Sequence, residues 1–333
     1  MTPADVLVVS LGSTAGLRAA DAALADALRR AGAQVEIATA RAPRELRTYA
    51  LTDLAWARAA RAAARAAIAA HDPRAIVYST TTAALLWPRP GAIRFDAPAA
   101  ANRSGRHGIW QRPLERRRLA AAPLLVPWDA GSLAETPRPH GAAIVVPIAV
   151  APSPATGAPR DLAAITYAAN PHKKGLDRVL SAWAQARTGD EQLVVAGADL
   201  RLGEIAGVTV AGRLDPAEYR ALLRRARVFV TAPRREDYGI AQLEALADGC
   251  LLVTTAAPGP YAALPLARAL ESRLVAADAT GLAAALRAAL DEPAGDYARR
   301  AAAALAPFSP DAVDAVVRDA LLPRLLVSTS CRE

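Results

Sequence analysis

Short runs of Val, Leu and Ile alternate along the chain with Ala-rich segments whose apolar residues recur at helical spacing. Such runs are typical of buried strands, and their alternation with helices is the pattern of βαβ units, which form parallel sheets. In the first half, strands are predicted over 6–10, 35–38, 75–79, 92–96, 124–127 and 143–147. A helix is predicted over 16–30, with Leu17, Leu24 and Leu28 on its inner side and Gly32 just after its end.

A stretch rich in Pro and Gly, residues 147–159, separates this series from a second one and has the composition of a linker. The second series contains predicted strands over 163–168, 192–196, 208–211, 228–232 and 251–255 and predicted helices over 176–186, 216–226 and 238–247. A last helix, 311–322, carries one apolar stripe and is able to pack on either half. We therefore predict two α/β domains, 1–150 and 151–310, with a cleft between them, and a C-terminal segment, 311–333, that can cross back to the first domain.

Composition argues against several classes of protein. No window of about 18 residues is strongly apolar and free of charge, which excludes a spanning helix. Residues 1–10 run into the first strand without a basic segment or a small-residue cleavage site, so we expect no secretory signal. Cys250 and Cys331 are far apart and have no His or Cys at ligand spacing, which argues against a disulfide framework or zinc site. We expect a cytoplasmic protein.

Charge is distributed unevenly along the chain. The sequence has 40 Lys and Arg against 32 Asp and Glu, a net charge of +8, and residues 1–150 hold all of this excess. All but two of the cations are arginine, and the two lysines, Lys173 and Lys174, are neighbours. Where arginine is so dominant, an adjacent lysine pair indicates a site that needs a compact ammonium group.

The segment 231–249 is the strongest candidate for a functional site. It ends a strand, turns at Pro233 and opens a helix at Tyr238 and Gly239. A helix that starts directly after a parallel strand presents unpaired N–H groups and a partial positive charge, which suit a phosphate.

Two carboxylates frame that helix start. Glu236 precedes the helix, and Glu244 lies inside it on the side of Ile240 and Ala247, so we expect the Glu244 carboxylate to face inward and to bind ligand hydroxyls. The ordinary alternative is that Glu244 pairs with a nearby Arg and that Glu236 is a solvated loop residue.

Two further strand-to-helix junctions carry candidate residues. Residues 168–177 contain both lysines before Gly175; the alternative is a solvent-exposed helix start. Gly12-Ser-Thr-Ala-Gly16 follows the first strand, and glycine there lets a phosphate or sugar approach the backbone. It lacks a Walker lysine and G-x-G-x-x-G spacing, so an ordinary βα turn is the alternative.

Taken together, Lys174-Gly175 and the E-x7-E spacing of Glu236 and Glu244, in the context EDYGIAQLEALADG, resemble the retaining nucleotide-sugar glycosyltransferases of family 4. That family has the GT-B fold of two facing Rossmann-like domains. The resemblance is specific over about residues 162–258 and diffuse over the first 150, where acceptors usually bind in that family. It implies that Lys174 contacts the donor diphosphate and that Glu236 contacts hydroxyls of the donor sugar.

The resemblance also implies further substrate contacts in both halves. Glu244 would hold the ribose, Gly239 and Ile240 would offer N–H groups to phosphate, Gly212 and Arg213 would line the base, and Gly12 would lie against the donor across the cleft. Where the family has an Arg before the Lys, this chain has Ala168 and Ala169, so phosphate binding would depend on Lys173, His172 or Arg235. Where it has a His after a first-half strand, the chain reads Arg94-Phe95-Asp96, and we take Asp96 as the substrate-binding candidate; His107, further along, is more simply a surface residue.

These residues predict glycosyl transfer from a UDP-, GDP- or ADP-sugar. No two aspartates have D-x-D spacing, so we predict a metal-independent reaction without a cofactor, in which Lys174 and the helix start stabilise the leaving diphosphate. Retention of anomeric configuration is implied by the resemblance alone.

The acceptor is expected on the basic first half. Arginines flank a predicted helix over 108–121 that also carries apolar residues: Arg103, Arg106, Arg112, Arg116, Arg117 and Arg118, with Ile109, Trp110, Leu114 and Leu119. Such a helix can contact an anionic membrane or a phosphorylated, lipid-linked acceptor; a solvated arginine face is the alternative.

Two other functions compete with transfer. The missing Arg favours an inactive GT-B-like protein that binds nucleotide-sugars or serves as a partner subunit. A nucleic-acid binder is suggested by charge alone, and the 5% aromatic content and the lack of a nucleic-acid motif argue against it.

Overall fold

The computed structural model describes residues 4–44, 46–103, 105–154, 159–292 and 295–327. The chain divides into two compact units, one formed by residues 1–149 with 310–333 and the other by residues 150–309. Each unit is a parallel-sheet α/β domain, which confirms the predicted fold class. Within the described ranges, no helix is both long and apolar enough to cross a membrane.

The first unit is built on a five-stranded parallel sheet. Its strands are β1 (Val6–Ser10), β2 (Val35–Thr39), β3 (Ala75–Tyr78), β4 (Ala92–Phe95) and β5 (Leu125–Pro127), in the order β2-β1-β3-β4-β5. Every residue of β1 is buried, as expected for a strand covered on both faces. The strand order reverses between β1 and β3, so the loops that follow these two strands emerge side by side.

The helices that cover this sheet differ in length and in the residues that form their inner faces. They are α1 (Ala15–Arg30), α2 (Tyr49–His71), α3 (Thr81–Ala84), α4 (Ala99–Asn102), α5 (Gln111–Ala121) and α6 (Ala130–Ala134). The sequence predicts α1 within one residue, and the Thr14 hydroxyl caps it by accepting from the Leu17 N–H. The 23-residue helix α2 is absent from the prediction because its inner face is formed by alanines such as Ala57, Ala60 and Ala64.

One predicted strand of the first unit is wrong. Residues 143–147 donate to β5 from the Ile144 and Val146 N–H groups, at 2.9 and 3.0 Å, but form only one isolated bridge, from Ala143 to Leu125, and no strand. The neighbouring strand β5 is only three residues long and ends at Pro127, which has no N–H to donate to a ladder.

The C-terminal helical segment packs on the first unit. It consists of α13 (Pro310–Val316), a π-helical turn (Val317–Leu321) and α14 (Leu322–Val327). Its buried Val313, Val317 and Leu321 join the core that contains Val6 and Leu24. The segment is also tied to α1 by a two-bond ion pair, in which Arg30 Nε and Nη2 lie 2.6 and 2.7 Å from the Asp314 carboxylate oxygens.

The second unit contains a six-stranded parallel sheet. Its strands are β6 (Leu162–Tyr167), β7 (Leu193–Ala196), β8 (Val208–Gly212), β9 (Ala226–Thr231), β10 (Leu251–Thr255) and β11 (Val275–Ala276), in the order β11-β10-β9-β6-β7-β8. Its helices are α7 (Leu176–Ala186), α8 (Pro216–Arg225), α9 (Ile240–Ala247), α10 (Ala263–Glu271), α11 (Leu282–Asp291) and α12 (Tyr297–Ala304). The order reverses between β6 and β9, and such a reversal opens a crevice at the carboxyl ends of the two strands.

Candidate functional site

The loops after β6 and β9 bring Lys174 and Glu236 together. Because β6 and β9 are adjacent parallel strands, both loops emerge at the reversal of the sheet. Lys174 Nζ lies 2.6 Å from Glu236 Oε2, and the two side chains are 19% and 5% exposed. Two residues that are 62 positions apart in the sequence therefore form one charged pair at the crevice.

Glycine makes this close approach of the loops possible. Gly175 has φ +65°, and a Cβ there would lie 1.9 Å from the Ala232 carbonyl oxygen. Gly259, in the loop after β10, has φ +111°, and its Cβ would lie 2.2 Å from the Glu236 carbonyl oxygen. A side chain at either position would push apart the loops that hold Lys174 and Glu236.

A second ion pair lies directly beside the first. Lys173 bonds to Asp237, and Arg235 Nε donates to the other oxygen of the same carboxylate at 2.8 Å. Burial opposes the charge of Asp237, but Lys173 and Arg235 hold its pKa below the usual value. The sequence offered Lys173, His172 and Arg235 as additional cations for the donor phosphate. Two of them, Lys173 and Arg235, therefore contact a carboxylate of the chain itself.

The sequence analysis does not single out Gln242, which completes the surroundings of Glu236. Gln242 Nε2 donates to Glu236 Oε2 at 2.9 Å, so both donors reach the same carboxylate oxygen. The sequence signal that could have identified Gln242 is a single amide side chain in a helix turn that is otherwise apolar. Tyr261 lies close by, fully buried at φ +39°, with its hydroxyl 2.6 Å from Thr254 Oγ1.

The start of α9 presents backbone donors beside this cluster. The helix begins at Ile240, two residues later than predicted, and its N-cap, Gly239, has φ +92°. Gly239 has no side chain that could cap the helix, unlike Thr14 on α1 and Asp215 on α8. The first N–H groups of α9 are thus suited to an anionic ligand.

Glu244 lies on α9, part-buried rather than fully inward. Arg220 Nη1 is 3.7 Å from Glu244 Oε1. Arg220 is therefore the nearby arginine with which Glu244 pairs in the alternative interpretation of the sequence. That guanidinium is bound mainly to Asp248, at 2.6 and 2.8 Å. Burial raises the pKa of Glu244, and Arg220 offsets this only in part, since its guanidinium is bound to Asp248.

Gly212 ends β8 and Arg213 follows it, two strands from β6 in the same sheet. Gly212 has φ +73°, the Arg213 N–H donates to Asp199 Oδ1 at 3.2 Å, and the Arg213 side chain is exposed. The loop after β8 leaves the same edge of the sheet as the loop after β6, and the two strands are about 10 Å apart by strand spacing.

The first-unit candidates follow β1 and β4. Gly12 has φ +61°, and its carbonyl accepts from Arg18 Nη1 at 2.8 Å. Asp96 uses Oδ1 to accept from the Ala97 N–H at 2.8 Å. Both residues lie at the carboxyl edge of the first sheet.

Beneath the Gly12 loop lies a buried polar cluster that sequence reasoning missed. Asp21 Oδ2 accepts from Ser10 Oγ at 2.5 Å, and Asp21 Oδ1 lies 3.5 Å from Arg94 Nη1. Burial raises the pKa of Asp21 in spite of Ser10 and Arg94. Leu11 is tied to the same region through its N–H, which donates to Ser79 Oγ at 3.2 Å.

Metal and thiol chemistry have few candidates. Across the ranges that the structure describes, no three His, Cys, Asp or Glu side chains are grouped to hold a metal ion. Burial raises the pKa of the Cys250 thiol to about 12, and the thiol donates to the Leu223 carbonyl. Cys331 lies outside the described residues.

Comparison with known proteins agrees with the geometry of the second unit. Residues 162–292 match the family described as Glycosyl transferases group 1. No curated protein matches the chain. The matched range contains every second-unit residue of the candidate site.

Solved structures resemble the whole chain. A sucrose-phosphate synthase from Thermosynechococcus elongatus aligns with a TM-score of 0.71 and 17% identity, covering 98% of this chain and 100% of that one. WaaG, a glycosyltransferase involved in lipopolysaccharide biosynthesis, gives 0.69 and 16%, over 94% and 99%. HepE from Anabaena, in complex with UDP and glucose, gives 0.68 and 15%, over 95% and 98%.

The fold is therefore that of the GT-B glycosyltransferases, as predicted. This fold and the family match over the second unit support a glycosyltransferase.

Proposed function

We propose that the protein is a retaining glycosyltransferase that moves a sugar from a nucleotide-sugar to an acceptor without a metal ion. The observation that carries the proposal is the Lys174–Glu236 contact, at the sheet reversal of the domain that matches group 1 glycosyltransferases. A cation, a carboxylate and a helix N-terminus converge there, and these groups meet the needs of a sugar diphosphate.

Lys174 and the start of α9 stabilise the leaving diphosphate. An ammonium group has three donors, so Lys174 can bind a phosphate oxygen while it holds Glu236. Gly239 and Ile240 add backbone N–H groups that need no reorganisation when charge develops on the phosphate. This arrangement takes the electrostatic role that a divalent cation has in other transferases.

Glu236 positions the sugar. Its Oε2 accepts from Lys174 and Gln242, which leaves Oε1 to accept from a sugar hydroxyl. A carboxylate stabilised by two donors is a weak nucleophile, so we assign no covalent intermediate to it. The acceptor oxygen bonds to the anomeric carbon on the face that the phosphate leaves, and the departing phosphate takes the acceptor proton.

The remaining candidates bind the rest of the substrates. Glu244 holds the ribose hydroxyls, Gly212 and Arg213 line the base, and Lys173 reaches the diphosphate when its pair with Asp237 opens. Gly12 and Asp96 belong to the unit that takes the acceptor. UDP-sugars are the first donors to test, because HepE was solved with UDP and glucose, followed by GDP- and ADP-sugars. An anionic or lipid-linked acceptor is in keeping with the arginine excess of residues 1–150.

Nucleotide binding and turnover, measured separately, test the proposal. Glu236→Gln is expected to bind UDP with native affinity by calorimetry and to lose at least about a hundredfold in transfer or donor hydrolysis, in the range of a lost transition-state contact. Lys174→Gln should weaken UDP binding by about tenfold, the loss of a charge-assisted bond. Glu204→Gln, a change of an exposed second-unit glutamate, is the matched control.

The competing function is an inactive nucleotide-sugar-binding protein, favoured by Ala168 and Ala169 in place of the family Arg. UDP binding without turnover of any UDP-, GDP- or ADP-sugar would establish that alternative. Failure to bind any of the three nucleotides would reject both. NMR of the anomeric proton of the product tests retention.

A further inference from the structure

Exposed apolar side chains gather on one surface of the first unit. Among the described residues, the exposed large hydrophobic side chains are Leu46 at 47%, Tyr49 at 63%, Leu51 at 50%, Ile109 at 69% and Val327 at 57%. The first four lie at the start of α2 and just before α5. We call these four residues the Tyr49 patch.

Direct contacts join the two segments of the Tyr49 patch. The Tyr49 and His107 rings meet edge to face with centroids 5.4 Å apart. Trp110 Nε1 donates to the Ala50 carbonyl at 3.1 Å. The Leu46 N–H donates to Thr52 Oγ1 at 3.3 Å, which folds the preceding segment against the first turn of α2. The patch is therefore one surface.

Arginine surrounds these apolar residues. Residues 41–51 contain three arginines, all exposed, and one acidic residue, Glu45, which lies outside the described residues. Residues 103–112 contain three arginines and no acidic residue. Arg103 is held by Asp53 at 2.9 Å, with its guanidinium carbon 5.6 Å from the Tyr49 ring, whereas Arg106 is exposed. The segments that carry the exposed apolar residues are thus also rich in exposed arginine.

This surface differs from the one the sequence suggested. The predicted cationic helix, 108–121, becomes a 3₁₀ turn (Gly105–Gly108) followed by α5, and Trp110 and Leu114 are part-buried. Leu119 is fully buried, and Arg118 Nε donates to the Leu85 carbonyl at 2.9 Å. Of that helix's apolar residues, Ile109 is the one that contributes to the exposed surface.

We propose that the first unit docks on an anionic lipid bilayer through the Tyr49 patch. Leu46, Tyr49, Leu51 and Ile109 enter the headgroup region, and Arg41, Arg44, Arg47 and Arg106 pair with lipid phosphates. Exposed apolar residues that cluster among cations mark an interaction surface. Lipid fits better than a protein partner because leucine is under-represented at protein hot spots, whereas leucine, aromatic residues and basic residues make up interfacial membrane surfaces.

Vesicle sedimentation of the full chain tests the proposal. The native protein should sediment with phosphatidylcholine vesicles that contain phosphatidylglycerol and remain unbound with phosphatidylcholine alone. Arg44→Ala with Arg47→Ala should weaken binding by about 25-fold, about fivefold for each arginine. Tyr49→Ser with Ile109→Ser should weaken binding at constant charge.

Two matched controls define the surface. Arg65→Ala removes an exposed arginine from the same helix, about 24 Å along its axis from Tyr49, and Val327→Ser removes an exposed apolar residue outside the patch. Both should bind vesicles like the native protein, and thermal unfolding should show that all variants are folded.

Equal binding to neutral vesicles, no binding to either kind, or an equal loss in the controls would overturn the proposal. Absence of vesicle binding would leave an acidic protein as the partner of the patch. The proposal does not rest on glycosyl transfer, since UDP binding measured on the same variants should be unchanged and reports on the other unit.

Discussion

The orientation of one carboxylate depends on two donors from different elements. Lys174, on the loop after β6, and Gln242, on α9, both reach Glu236 Oε2, at 2.6 and 2.9 Å. Lysine supplies charge, and glutamine supplies direction, because the amide is held within the first turn of a helix. Gln242 can therefore fix the orientation of the Glu236 carboxylate without touching the substrate.

We predict that Gln242→Leu lowers turnover while nucleotide binding persists. Leucine is close to glutamine in volume but lacks the amide that donates to Glu236, and a hydrogen bond to a charged group contributes about 1.5 to 3 kcal/mol. Turnover should fall by roughly 10- to 100-fold, with the UDP dissociation constant changed less than threefold. Steady-state kinetics and calorimetry measure the two quantities. Gln185→Leu, on the surface of α7, is the control, and equal losses of binding and turnover would contradict the positioning role.

The ion pair between Arg234 and Asp177 makes the free energy of unfolding depend on pH in the acid range. Arg234 Nη1 and Nη2 donate to the two oxygens of Asp177 at 2.8 and 2.7 Å, and this pairing lowers the pKa of Asp177 to about 2. A depressed carboxylate pKa stabilises the fold above the unfolded pKa near 3.8, and the contribution disappears as pH falls toward 2.

Asp177→Asn should therefore destabilise the protein by about 0.5 to 1 kcal/mol at pH 7, because the pair is largely exposed. At pH 2.5 the difference between native and variant protein should be much smaller. Urea unfolding at pH 7 and at pH 2.5 measures the difference in the free energy of unfolding between the native protein and the variant. A difference that stays constant with pH would show that the ion pair is not its source.

The site residues could be selected from the sequence, but their pairing could not. Strand-to-helix junctions and the isolated lysines point to Lys174 and Glu236. Their contact depends on the adjacency of β6 and β9 and on the close approach at Gly175, which are properties of the folded sheet. The Lys173–Asp237 pair and the Asp21–Arg94 cluster depend in the same way on loops and strands distant in the sequence.

Among the elements, strongly apolar ones are predicted well and alanine-rich ones poorly. α7 and β10 have the predicted bounds because large apolar residues mark their inner faces. The long helix α2 buries mainly alanine, which carries little periodic signal. Residues 143–147 show the opposite error, since this apolar run donates backbone hydrogen bonds to β5 from Ile144 and Val146 but forms only one isolated bridge.

The C-terminal segment gives a prediction at the scale of an element. Leu321 is fully buried in the core of the first unit, so Leu321→Ala should lower the free energy of unfolding by about 2 to 5 kcal/mol. Val327→Ala, at an exposed position of the same segment, should change it by less than about 0.5 kcal/mol. Denaturant unfolding followed by tryptophan fluorescence measures both, since four of the five tryptophans belong to the first unit. Equal effects would mean that the segment contributes no core.

At the scale of the molecule, each unit has its own sheet and its own buried interior. The first unit carries the arginine excess and the Tyr49 patch, and the second carries the candidate donor site. The first unit therefore has a net charge of +7 and the second +1, and this excess bears on the acceptor side of the proposed reaction.

We expect two calorimetric transitions that respond to different changes. UDP at a hundred times its dissociation constant adds about 2.7 kcal/mol, which should raise the transition of the second unit by roughly 5 to 10 °C. Leu321→Ala should lower the other transition. If both changes move the same transition, the units do not unfold independently.

The first unit is assembled from two separate stretches of chain, 1–149 and 310–333. During synthesis, the whole of the second unit is added to the chain before Val317 and Leu321 are made. Part of the apolar surface of the first sheet therefore stays uncovered while the residues of a complete second domain are synthesised. The part of the protein that is made first is the part that is finished last.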